Sequence, residues 1–120
     1  MDIKKIIVNG KEYEFVNSSR STRNGFAHDT TLFVNGYEKT SNTCHYLNRT
    51  WECYRYQTVM MGAIRQSIDN RTNLLERKFK DDNGYKKMTA DRVLKFKNVI
   101  LADDDVIKEY KKVLKQLENY

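Results

Sequence analysis

The amino-acid sequence predicts an α+β domain: an antiparallel sheet of two hairpins, about four strands, packed against a long helix and two C-terminal helices. Three observations carry this. Two Asn-Gly pairs, Asn9-Gly10 and Asn35-Gly36, each lie between runs of strand-forming residues. After residue 48 the apolar spacing changes from two to three and four. Strand signals come first along the chain and helix signals follow, the order of an α+β domain. With 120 residues the chain is one domain, because a domain occupies roughly 100–200 residues.

The first hairpin is read from Ile6-Ile7-Val8-Asn9-Gly10-Lys11-Glu12-Tyr13. A two-residue type I′ turn needs positive φ at both turn positions, which Asn-Gly supplies. That register sets Ile6 opposite Tyr13 and Lys5 opposite Glu14. Ile6, Val8, Tyr13 and Phe15 then share one face, with the Lys5–Glu14 pair on the other. Val34-Asn35-Gly36-Tyr37-Glu38 repeats the phrase 26 residues later. Its strands would be 26–34 and 37–47, long arms with poor alternation, for which a bulge or twist is expected. The polar run 17–25 reads as an exposed loop between the hairpins.

The long helix is expected over 48–80, either running on through Leu74, Leu75 and Phe79 or stopping near Asp69-Asn70. Asn48 and Thr50 are N-cap types, and Trp51, Tyr54, Thr58, Met61, Ile64 and Ile68 follow at helical spacing. Asp81-Asp82-Asn83-Gly84 breaks it. Two helices fill 89–118. One is capped by Thr89 with Asp91 and carries Val93, Phe96 and Ile100. The other starts at Asp103-Asp104-Asp105 and turns Val106, Tyr110, Val113 and Leu117 inward.

Leu, Ile, Val and Phe number 28 of 120, just above the roughly 20% below which a charged chain stays disordered. The core is therefore small, with eight Tyr and one Trp to supplement it. No stretch approaches the roughly 20 apolar residues of a membrane span. The segment Met1-Asp2-Ile3-Lys4-Lys5 has no apolar leader character, and two cysteines fit a reducing compartment, so a cytoplasmic site of action is expected.

No nucleophile elbow, phosphate loop or His-Glu-x-x-His helix is present, and no enzymatic activity is expected. His28-Asp29 beside Ser18, Ser19, Ser21 or Thr22 has the composition of a triad, but triads are assembled across a fold and not along a sequence. No cofactor is expected. If a metal binds, the ligands are His28, Cys44, His45 and Cys53, since zinc takes thiolate and imidazole alike. In the unbulged hairpin register His28 and His45 share a face and Cys44 points away, so a four-ligand site would need a bulge near Cys44.

The charge is uneven. Residues 71–97 carry nine basic side chains against four acidic ones. The candidate contact set there is Arg71, Arg77, Lys78, Lys80, Tyr85, Lys86, Lys87, Arg92 and Lys95. Such a window suits a phosphate backbone or an acidic protein surface. The last helix adds Lys108, Lys111, Lys112 and Lys115, which Asp103, Asp104, Asp105 and Glu109 largely offset along the sequence.

Gly25-Phe26-Ala27-His28, Leu32-Phe33-Val34-Asn35-Gly36 and Tyr46-Leu47-Asn48-Arg49-Thr50-Trp51-Glu52-Cys53-Tyr54-Arg55-Tyr56-Gln57-Thr58 together resemble a group of small proteins of phages and other mobile elements of Gram-positive bacteria. The resemblance covers roughly residues 3–68. By analogy of genomic setting it implies an anti-CRISPR protein: a stoichiometric inhibitor that binds a type II RNA-guided effector nuclease and blocks DNA loading or cleavage. A chain of net charge +6 does not imitate DNA, so the implied contact is a protein surface or the guide RNA. The alternative is a small basic nucleic-acid-binding accessory protein of a mobile element. Neither a membrane nor a small-molecule substrate is expected as partner.

Overall fold

The computed structural model describes residues 1–47 and 55–120. Strands β1 (Asp2–Val8), β2 (Lys11–Thr22), β3 (Gly25–Val34) and β4 (Tyr37–Tyr46) form one antiparallel meander in the order β1-β2-β3-β4. Helices α1 (Gln57–Asn83), α2 (Ala90–Lys95) and α3 (Asp105–Glu118) follow, with a wide π-helical turn over Phe96–Leu101 continuing α2. The α+β class read from the sequence is the class observed.

Both Asn-Gly turns have positive φ at both residues, 52° and 77° at Asn9-Gly10 and 49° and 84° at Asn35-Gly36. That type I′ geometry matches the strand twist with two loop residues. The first register is as expected, with Ile6 opposite Tyr13 and Lys5 opposite Glu14. The second hairpin carries the expected bulge: Val34 pairs with Tyr37 and Phe33 with Glu38, then Leu32 pairs with Thr40, leaving Lys39 over. One extra residue exchanges the faces of everything beyond it.

The run 17–25 is not an exposed loop. Residues 17–22 finish β2, only Arg23-Asn24 turn, and Gly25 opens β3. Its polar residues make strand because β3 pairs with them along the whole run. Asn17 is buried opposite Thr30, Ser19 lies opposite His28, and the Arg20 guanidinium reaches Asp29 at 2.9 Å.

Helices cover one face of the sheet. Ile6, Val8, Tyr13, Phe15 and Leu32 pack against Met60, Ala63 and Ile64 of α1 and Tyr110, Val113 and Leu117 of α3. Helix α3 runs antiparallel to the first half of α1 and is tied to it at both ends. The Gln57 side-chain amide donates to the terminal carbonyls of Leu117 (2.7 Å) and Glu118 (3.0 Å). Arg71 grips Asp104 with two bonds of 2.9 and 3.1 Å. Asp104 also accepts from the Ile107 N–H at 3.0 Å, so it caps α3 while holding α1.

The long helix expected from residue 48 begins at Gln57, after the non-helical Arg55 and Tyr56. Its expected caps Asn48 and Thr50, with Trp51 and Tyr54, lie outside the described residues. It is continuous through Asn70 and stops where Gly84 turns left-handed at φ 67°. From Gln57 to Ser67 it buries five side chains, and beyond that only Phe79. The stretch 72–83, about 18 Å long at 1.5 Å per residue, therefore projects past the sheet and returns through 84–103. This arm makes the molecule 49 × 35 × 24 Å with a radius of gyration of 17.0 Å. A compact chain of this length would have about 14 Å.

Candidate macromolecular interface

The arm stays ordered on a small aromatic cluster of its own. Phe79 of α1 packs against Phe96 at 5.5 Å between ring centroids and meets the edge of Tyr85 at 5.7 Å. Arg92 lies over the Tyr85 ring at 3.8 Å and donates to the Lys87 carbonyl at 2.9 Å. A guanidinium over a ring face is attracted by the ring quadrupole, which pins the loop after α1 onto α2.

These contacts divide the nine candidate contact residues. Arg71 belongs to the joint with α3, and Tyr85 and Arg92 hold the arm together. Arg77, Lys78, Lys86, Lys87 and Lys95 are exposed and Lys80 is half-buried. Among the described residues none of these six takes part in an ion pair. They do not share a face. At about 100° per residue Arg77 and Lys80 fall on one flank of α1, and Lys78 falls with Arg71 on the other. Over 72–103 eight basic residues stand against Glu76, Asp81, Asp82, Asp91 and Asp103. Between the cations the arm exposes Leu74 (45%), Leu94 (60%) and Val99 (50%). Sequence reasoning missed these three, because residues at helical spacing are expected to face a core, and here no described residue covers them.

The second cluster lies at the far end of the sheet, on its helix-covered face. Ser19 Oγ is 2.6 Å from His28 Nδ1 and 3.0 Å from the Tyr56 hydroxyl. The buried His28 ring sits among Phe26, Tyr46 and Tyr56 at 4.6–5.3 Å. A hydroxyl beside an imidazole is a nucleophile–base pair, and a triad also needs a carboxylate to orient the imidazole. Asp29 does not supply it. As the next residue in a strand it points to the opposite face, where the Thr43 hydroxyl (2.6 Å) and Arg20 hold its carboxyl below the usual range.

The bulge at Lys39 rearranges the candidate metal ligands. Cys44, not His45, is the cross-strand partner of His28, and His45 sits opposite Ala27 on the other face. The expectation that His28 and His45 share a face is therefore overturned by one unpaired residue. Burial pushes the Cys44 thiol up, which disfavours the thiolate that metals bind. Cys53 lies outside the described residues. Among those described, no three of His, Cys, Asp and Glu gather closely enough to hold a metal ion, and no helix is long and apolar enough to cross a membrane.

Comparison of the chain with protein-family models, with curated proteins and with solved structures finds no match.

Proposed function

We propose that this protein is a stoichiometric inhibitor of a bacterial defence system, acting in the host cytoplasm by occupying a protein surface and catalysing no reaction. In the setting that the sequence resemblance implies, the target is a type II RNA-guided effector nuclease, and binding blocks DNA loading or cleavage. One observation supports a protein partner above others: the arm is a braced projection on which exposed aliphatic side chains stand among cations that form no ion pair with the described residues. Protein interfaces combine an apolar, desolvated centre with a polar rim. Phosphate binding needs only the cations.

The alternative, a basic nucleic-acid-binding accessory protein, draws on the same exposed lysines. Gel filtration of the protein with guide-loaded effector, and separately with free single-stranded and duplex DNA, separates the two. The inhibitor reading expects co-elution with the effector, loss of cleavage near equimolar ratio, and weaker binding on charge reversal of Lys86, Lys87 and Lys95. Binding to free DNA alone, steeply weakened by salt, would transfer the assignment to the alternative.

A further inference from the structure

Along the sequence, Asp103, Asp104, Asp105 and Glu109 offset the α3 lysines; in the fold two of these acids, Asp104 and Glu109, are taken by other partners, and Asp103 and Asp105 stay exposed. Asp104 is held by Arg71 and by the Ile107 N–H. Glu109 is turned inward, buried, accepting from the Tyr13 hydroxyl and lying 3.5 Å from the Lys11 ammonium. What remains toward solvent is Lys108, Lys111, Lys112 and Lys115, all exposed, with no ion pair among the described residues. At about 100° and 1.5 Å per residue they fill an arc of about 100° over about 10 Å of helix. Asp105 and Glu118 stand at the two ends of this stripe and no exposed acid interrupts it.

Beside the stripe, between α3 and the first hairpin turn, lies a shallow groove of about 490 Å³. Lys112 and Lys115 line it together with Asn9, Gln116 and Asn119 and with Ile7 and Val8.

We infer that this face of α3 is a second, separate contact surface, and that it binds the phosphate backbone of a nucleic acid. Charge complementarity selects the occupant. Ammonium groups on flexible stems at one-turn spacing suit a row of phosphates, and neighbouring amides donate to phosphate and sugar oxygens. Protein interfaces are depleted in lysine and enriched in arginine and aromatic residues, and the stripe contains neither of these. A bilayer is disfavoured because the apolar side of α3, with Ile107, Tyr110, Val113 and Leu117, is already buried in the core. The inference is independent of the inhibitor reading, which rests on the arm.

The test is fluorescence anisotropy of the full chain with a short labelled single strand, its duplex, and polyglutamate, over a series of salt concentrations. The expected result is binding to both nucleic acids with a log–log salt slope of about −3.6 for the duplex and about −2.8 for the single strand, the values for about four phosphate contacts. Replacing all four lysines by Gln should lower affinity more than about tenfold and flatten the slope. The corresponding Arg replacements should retain both, and unchanged far-UV circular dichroism would show that the Gln variant folds. A K86Q/K87Q/K95Q variant on the arm should bind as the parent does. The inference is overturned if the parent binds neither nucleic acid, if polyglutamate binds as tightly, or if the arm variant loses affinity while the α3 variant keeps it.

Discussion

The body and the arm of this protein obey different rules of stability. In the body, β1–β4 and two helices share one core, and several polar groups within it are matched across elements. Tyr13 meets Glu109, Thr40 meets Ser67, and the Asn42 amide reaches the Val59 carbonyl at 3.0 Å. In the arm, residues 72–103 bury little besides Phe79 and Phe96, and a stacked guanidinium fastens the loop. The body resists change because each of its residues is constrained by several neighbours. The arm can open on its own, because few of its contacts reach back to the sheet. A projecting element of this kind offers a partner surface at little cost to the fold.

The largest contrast comes from removing one ring in each region. Phe15→Ala empties the centre of the body and should cost about 3–5 kcal/mol, read by urea denaturation. Phe96→Ala should lower global stability by less than about 1 kcal/mol, because the arm unfolds locally. Hydrogen exchange should then show lost protection confined to 72–103. Equal effects of the two substitutions would mean that body and arm unfold as one unit.

A middle-sized effect is expected within the body. Burial, and then the Glu109 carboxylate, push the Tyr13 phenol well above its usual range, so it stays a donor at any ordinary pH. Tyr13→Phe leaves the buried Glu109 with Lys11 as its remaining charged neighbour and should cost about 1.5–3 kcal/mol. A loss under about 0.5 kcal/mol would show that this bond contributes nothing to the core.

The smallest effect lies at the joint. Arg71 first, then the Ile107 N–H, hold the Asp104 carboxyl below its usual range. A carboxyl whose folded pKa is depressed contributes stability above its unfolded pKa of about 3.9 and loses it as the pH falls toward the folded value. Asp104→Asn keeps a capping side chain and removes the charge. It should cost about 1–2 kcal/mol at pH 7, with the gap from the parent closing as the pH falls below about 4. A constant gap down to acid pH would assign the loss to geometry and not to the ion pair.

Much of the fold was legible because its signals are local. Asn-Gly turns specify their own hairpins, and the Ile6–Tyr13 register follows from the turn. The change of apolar period separates sheet from helices, and Gly84 ends α1. The polar run 17–22 was misread because serine, threonine and asparagine carry turn preferences, which cross-strand partners overrode. The face of Cys44 was misread because a single bulge inverts every later position and leaves no mark in composition. The basic window was visible, but the division between cations that brace the arm and cations that remain free was not.

The sequence alone determined the α+β class, the two tight turns, the sheet's first register and the excess of positive charge, since each depends on residues near one another along the chain. The tertiary structure decided which charges face solvent. Asp104 and Glu109 are neighbours of the α3 lysines in sequence, yet Arg71 and Tyr13 claim them, from 33 and 96 positions away. Electrostatic neutralisation depends on distance in space, and only folding sets that distance.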